Sequence, residues 1–77
     1  MSTNIYIYGC SCGIKANQVA KVKKFYPNAK VYNTKYSLDK RSEQIGYLND
    51  SGIGTNQYHP IVVEDGDVTL LSQWNPL

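Results

Sequence analysis

The chain is poor in several things at once. Among its 77 residues there are two cysteines, one histidine, one tryptophan, one phenylalanine and one methionine. No apolar run approaches the roughly 18 residues of a membrane-spanning helix. Met1-Ser2-Thr3-Asn4 carries no basic side chain, and Ile5-Tyr6-Ile7-Tyr8 is too short for the apolar core of a secretory signal. The expectation is a cytoplasmic protein with no membrane partner, in which the cysteines rest as thiols and a structural disulfide is not expected. Cys10 and Cys12 stand too close together to staple a fold. There is no phosphate-cradling glycine loop and no His-Glu-x-x-His pair. Acidic residues are missing from the first half. Residues 1–38 carry six lysines and no acid, a net +6, whereas residues 39–77 carry Lys40 and Arg41 against six acids, a net −4. The overall +2 is too small for a dedicated nucleic-acid binder, and the lysines read as a solvated helix face.

What remains is one small domain. A chain this short buries only about 60% of the surface it exposes when unfolded, which excludes a two-domain enzyme, a (β/α)8 barrel or a full dinucleotide-binding fold. Hydrophobic residues at 42% and charged residues at 18% are ordinary for a globular chain. Seven of the nine aromatic residues are tyrosines.

Residues 4–8 alternate Ile and Tyr without charge, the pattern of a central strand covered on both faces. Gly9-Cys10-Ser11-Cys12-Gly13 ends it. Residues 14–26 read as a helix with Ala16, Val19, Ala20, Val22 and Tyr26 inward, stopped by Pro27-Asn28. Residues 29–36 alternate as a second strand, and one intervening helix makes the pair parallel through a right-handed crossover. Ser37 caps a second helix over 38–49 with Leu38, Ile45 and Leu48 as its apolar stripe, and Gly46 weakens that helix by about 1 kcal/mol. Ile53 is placed as a core plug. Residues 61–64 and 67–71 flank Asp65-Gly66, a strong type I′ hairpin signal. No full helix fits after Leu71. The fold class is α/β, βαβαββ, with a four-stranded mixed sheet in order 2-1-3-4.

The chemistry is carried by the turn after the first strand. A thiol at a helix start is stabilised as thiolate by unpaired N–H groups and the helix dipole, and thiolate is the nucleophile. Lys15 adds positive charge. A second thiol nearby can resolve a mixed disulfide. Two cysteines could also hold Cu(I), but zinc wants more ligands than Cys10, Cys12 and His59 supply, so no metal is assigned.

The chain resembles the glutaredoxins of the thioredoxin-like superfamily. The resemblance covers nearly all of it, in Ile5-Tyr6-Ile7-Tyr8, in Cys10-Ser11-Cys12-Gly13-Ile14-Lys15-Ala16, in His59-Pro60-Ile61-Val62-Val63 and in the Glu64-Asp65-Gly66-Asp67 hairpin. The family motif is Cys-Pro-Tyr-Cys followed by an apolar residue, a basic residue and often Ala. On it, Cys10 takes the nucleophile position, Ser11 the proline, Cys12 the tyrosine and Gly13 the second cysteine. The resemblance implies a thioredoxin-like fold, thiol–disulfide oxidoreduction by Cys10 with Cys12 resolving, and a cis His59-Pro60 bond. It implies a substrate groove formed by Tyr8, Ser11, Lys15, His59 and Pro60. The substrate would be a protein or small-molecule disulfide. The shifted second cysteine closes a smaller, more strained and more oxidising ring.

The segment that holds glutathione in the family is replaced by Val68-Thr69-Leu70-Leu71-Ser72-Gln73, which argues against glutathione as cofactor and against a cluster shared between two chains. The family's C-terminal helix is missing. One sheet face is therefore expected to lie half open, exposing Tyr6 or Tyr8 and Trp74 to a second copy or a host-protein partner, unless residues 72–77 fold back as a lid. The rival reading is a thioredoxin-fold binding module with incidental cysteines, an economy that suits a phage or mobile-element protein.

Overall fold

The computed structural model describes residues 4–10, 14–53 and 60–75. Strand β1 (Ile5–Gly9) is central, and its alternation sorts the core into two layers. Ile5 and Ile7 face one side with Val22, Ala29, Val62, Leu71 and Trp74. Tyr8 faces the other with Leu48, Ile61 and Val63, and Tyr6 packs at its edge. Helix α1 (Ala16–Phe25) and strand β2 (Lys30–Asn33) follow, then helix α2 (Leu38–Ser51), strands β3 (Ile61–Glu64) and β4 (Asp67–Leu70), and a 3-10 turn, Leu71–Gln73. The sheet order is β2-β1-β3-β4. β1 and β2 are parallel, while β3 runs antiparallel to both β1 and β4. The small α/β architecture and the strand order agree with the sequence expectation.

Local chemistry explains most boundaries. Asp65 at φ 49° and Gly66 at φ 90° both lie in the left-handed region that a type I′ hairpin turn requires. Ser37 Oγ accepts the Lys40 N–H at 3.3 Å, the expected cap of α2. At the other end Gly52 adopts φ 80°, with its N–H on Asn49 and the Ile53 N–H on the Leu48 carbonyl. This is the paired bonding of a Schellman stop. β2 ends at Asn33, short of the expected Tyr36, because the Asn33 carboxamide accepts the Lys35 N–H at 3.0 Å and turns the chain.

Three expectations are corrected. Leu38 is 80% exposed in the first turn of α2; the inward face of that helix is built from Gln44, Tyr47 and Leu48. Ile53 is 39% exposed rather than a core plug; its N–H belongs to the Schellman stop on the Leu48 carbonyl. Trp74 is only 6% exposed. The 3-10 turn carries its ring onto the α1 side of the sheet, against Phe25 and Tyr26. Residues 71–75 therefore act as the lid, and Tyr6 and Tyr8 lie on the opposite, α2-covered face. The half-open face expected to receive a partner is filled where Trp74 was to be exposed.

Candidate functional site

In open α/β sheets the crevice beyond the carboxyl ends of parallel strands is where ligands gather. Here that end is formed by Gly9-Cys10 where β1 ends, Asn33-Thr34 where β2 ends and Pro60 before β3. The Thr34 N–H reaches the Gly9 carbonyl at 3.1 Å, the Leu71 N–H reaches the Pro60 carbonyl at 2.9 Å, and the pairing of Tyr8 with Ile61 sets Pro60 beside the end of β1. Gly9 lies directly against Pro60. A Cβ on Gly9 would come within 3.0 Å of Pro60 Cβ and 3.1 Å of Ile14 Cγ1. This close approach is the reason for a glycine at the end of β1.

Cys10 is half-buried and disulfide-bonded, in place of the resting thiol expected from a cytoplasmic setting. The chain's other cysteine, Cys12, lies outside the described residues, as do Ser11 and His59 and hence the expected cis His59-Pro60 bond. The Ile14 N–H closes the turn onto the Cys10 carbonyl at 3.2 Å. Helix α1 begins at Ala16 with Lys15 as its N-cap residue, later than the 14–26 expected. Cys10 thus precedes the first helical turn, within which dipole effects are concentrated. Lys15 is exposed, and its carbonyl accepts the Gln18 and Val19 N–H groups. From Ile14 an open apolar groove of about 480 Å³ runs between α1 and β2, bordered by Val19, Lys23 and Val31.

Tyr8 is placed differently from the groove residue expected. Only 2% exposed, it lies in the α2-side core, and its hydroxyl donates to Glu43 Oε1 at 3.1 Å. Burial, reinforced by the Glu43 carboxylate, raises its phenol well above the usual tyrosine range. Its ring meets those of Tyr6, Tyr32 and Tyr47 at centroid separations of 5.2 to 6.4 Å. Lys40 covers Tyr32 at 4.2 Å and pairs with Glu43 at 3.1 Å. Hydrogen bonding to Lys40, opposed by partial desolvation and aided by Tyr8, holds the Glu43 carboxyl below its ordinary value. The tyrosine excess is thus largely a packed aromatic layer beneath α2.

A second polar group escaped sequence reasoning. Glu64 accepts from Tyr26 Oη at 2.8 Å and from Trp74 Nε1 at 3.3 Å. Hydrogen bonding to Glu64, with desolvation, raises the Tyr26 phenol. The sequence offered Glu64 only as the last residue of a strand, and its partners stand 38 and 10 positions away.

Among the described residues no set of three or more His, Cys, Asp or Glu side chains could hold a metal, and no helix is long and apolar enough to cross a membrane. Comparison of the chain with protein-family models, with curated proteins and with solved structures finds no match.

Proposed function

We propose that the protein is a glutaredoxin-like thiol–disulfide oxidoreductase built on a thioredoxin-like fold. The observation that carries this reading is the position of Cys10. It is a disulfide-bonded, half-buried residue at the carboxyl end of the central strand, next to a glycine packed on Pro60. In the reduced protein the Cys10 thiolate attacks one sulfur of a substrate disulfide. A mixed disulfide forms, and the other substrate sulfur leaves as thiolate. The Cys12 thiolate then attacks Cys10 sulfur, releasing the second substrate thiolate and leaving the Cys-x-Cys disulfide. An external dithiol donates two electrons to return it to the reduced state. The groove that starts at Ile14, whose N–H bonds the Cys10 carbonyl, offers apolar surface along α1 and β2, with Lys23 at its border.

The test is the alkylation rate of Cys10 against pH in a reduced Cys12→Ser background. A free cysteine titrates near about 8.5, and an activated one is expected to show its inflection at least about one unit lower. One observation favours a second reading, the binding module. Helix α1 starts only at Ala16, so Cys10 has less help from the helix dipole than a thiol in the first turn. An alkylation profile matching a free thiol would select the module.

A further inference from the structure

On the face covered by α1, at the β3–β4 end of the sheet, lies a cavity of about 440 Å³ remote in the sheet order from the groove beside β2. Its volume falls in the range of small-ligand sites. Three aromatic residues line it, Phe25, Tyr26 and Trp74. The Phe25 and Tyr26 rings are inclined to Trp74 by 60° and 68°, with centroids 6.3 and 6.2 Å away, so the rings form a corner rather than a stack. Two carboxylates line the same cavity, Glu64 and Asp67.

The charges are not balanced. Glu64 is held by two neutral donors, Tyr26 and Trp74, which fix it without cancelling its charge. Glu64 and Asp67 are direct cross-strand partners in the β3–β4 ladder. Like charges opposite one another destabilise a strand pair. Neither carboxylate is ion-paired among the described residues; the Lys40–Glu43 salt bridge lies on α2. Lys21 directs its ammonium to Asn75 Oδ1 at 3.0 Å and to the Trp74 carbonyl at 3.5 Å, not to either carboxylate. Aromatic walls with uncompensated carboxylates are the environment that attracts an organic cation, through ring quadrupoles and direct charge.

We propose that this cavity binds an alkylammonium or guanidinium group, such as the end of a lysine or arginine side chain or of a polyamine. Asp67 at the exposed hairpin supplies the entering charge, Glu64 the fixed inner one, and the three rings the walls. The cation relieves the cross-strand repulsion between Glu64 and Asp67.

Trp74 is the only tryptophan in the chain, so its fluorescence reports on the cavity directly. The intact protein is titrated at low ionic strength with n-butylammonium, and with 1-butanol as the neutral control. Spermidine and a capped Gly-Lys-Gly peptide distinguish a free polyamine from a partner's side chain. The expected result is a saturable change with the cations and none with the alcohol. Asp67→Asn should weaken binding about fivefold, the scale of one exposed charge contact, and Phe25→Leu by a similar factor for one exposed ring. Asp67→Asn should also leave the free protein at least as resistant to urea as the parent, because it removes one of two facing charges. That result shows that weakened binding is not misfolding. An equal response to 1-butanol, no saturable response to any cation, or cation binding that Asp67→Asn leaves unchanged would each overturn the proposal.

Discussion

Adding one methyl group at Gly9 should disrupt the candidate site and the fold together. The Cβ of Gly9→Ala would sit 3.0 Å from Pro60 Cβ, 3.1 Å from Ile14 Cγ1 and 3.2 Å from Pro60 Cα. Carbon atoms pack best at about 3.5–4.0 Å, so three contacts are each several tenths of an ångström too short. Two of the three atoms belong to a proline, whose ring and backbone cannot rotate out of the way. β1 is also pinned on both sides, by β2 and β3. Overpacking of this kind typically costs about 1–3 kcal/mol. In a domain of this size each kcal/mol shifts Tm by about 4–8 °C, so a cost near 2 kcal/mol lowers Tm by about 8–16 °C. The assay is thermal and urea unfolding of parent and variant with the disulfide in the same state, followed by Cys10 reactivity in the folded variant. A Gly9→Ala protein as stable as the parent would refute the claim that this glycine exists for the close approach of Pro60.

Gly46→Ala is the matched contrast: it lies in the exposed middle of α2 with open space where the Cβ would go, and should stabilise by up to about 1 kcal/mol in urea unfolding. Ser37→Ala removes the cap oxygen from the Lys40 N–H and should cost about 1 kcal/mol in the same assay. The raised phenol of Tyr8 sets an alkaline limit. Below about pH 10 tyrosine is neutral in both states; above it the unfolded chain loses a proton that folded Tyr8 keeps. Stability should therefore fall as pH rises past 10, and Tyr8→Phe should reduce that slope, measured as the urea midpoint between pH 9 and 11.

Where local physics decides, sequence and structure coincide. The Asp65-Gly66 turn, the Ser37 cap and the Ile-Tyr alternation of β1 each depend on residues within a few positions of one another. Expectations failed where a residue's fate depended on distant partners. Leu38 looks apolar-periodic, but at the start of α2 it stays in solvent. Gln44 looks like a surface residue, yet it is among the most buried side chains. Of the residues proposed for the site, the positions of Cys10 just past β1 and Pro60 just before β3 were legible from spacing. Tyr8 was not, because which face of a central strand a helix covers is a tertiary matter.

Composition and pattern alone determined a small α/β fold with a central Ile/Tyr strand, a crossover and a closing hairpin. They also placed Cys10 beyond the end of that strand. Only the tertiary structure decided the rest. It folded Trp74 back onto the sheet, gathered three sheet tyrosines against Tyr47 of α2, pressed Gly9 onto Pro60 and set Glu64 between Tyr26 and Trp74. Each of these contacts joins elements far apart in the chain, and burial selects them only once the sheet has assembled. Periodicity and turn chemistry, which act over a few residues, carry no signal for them.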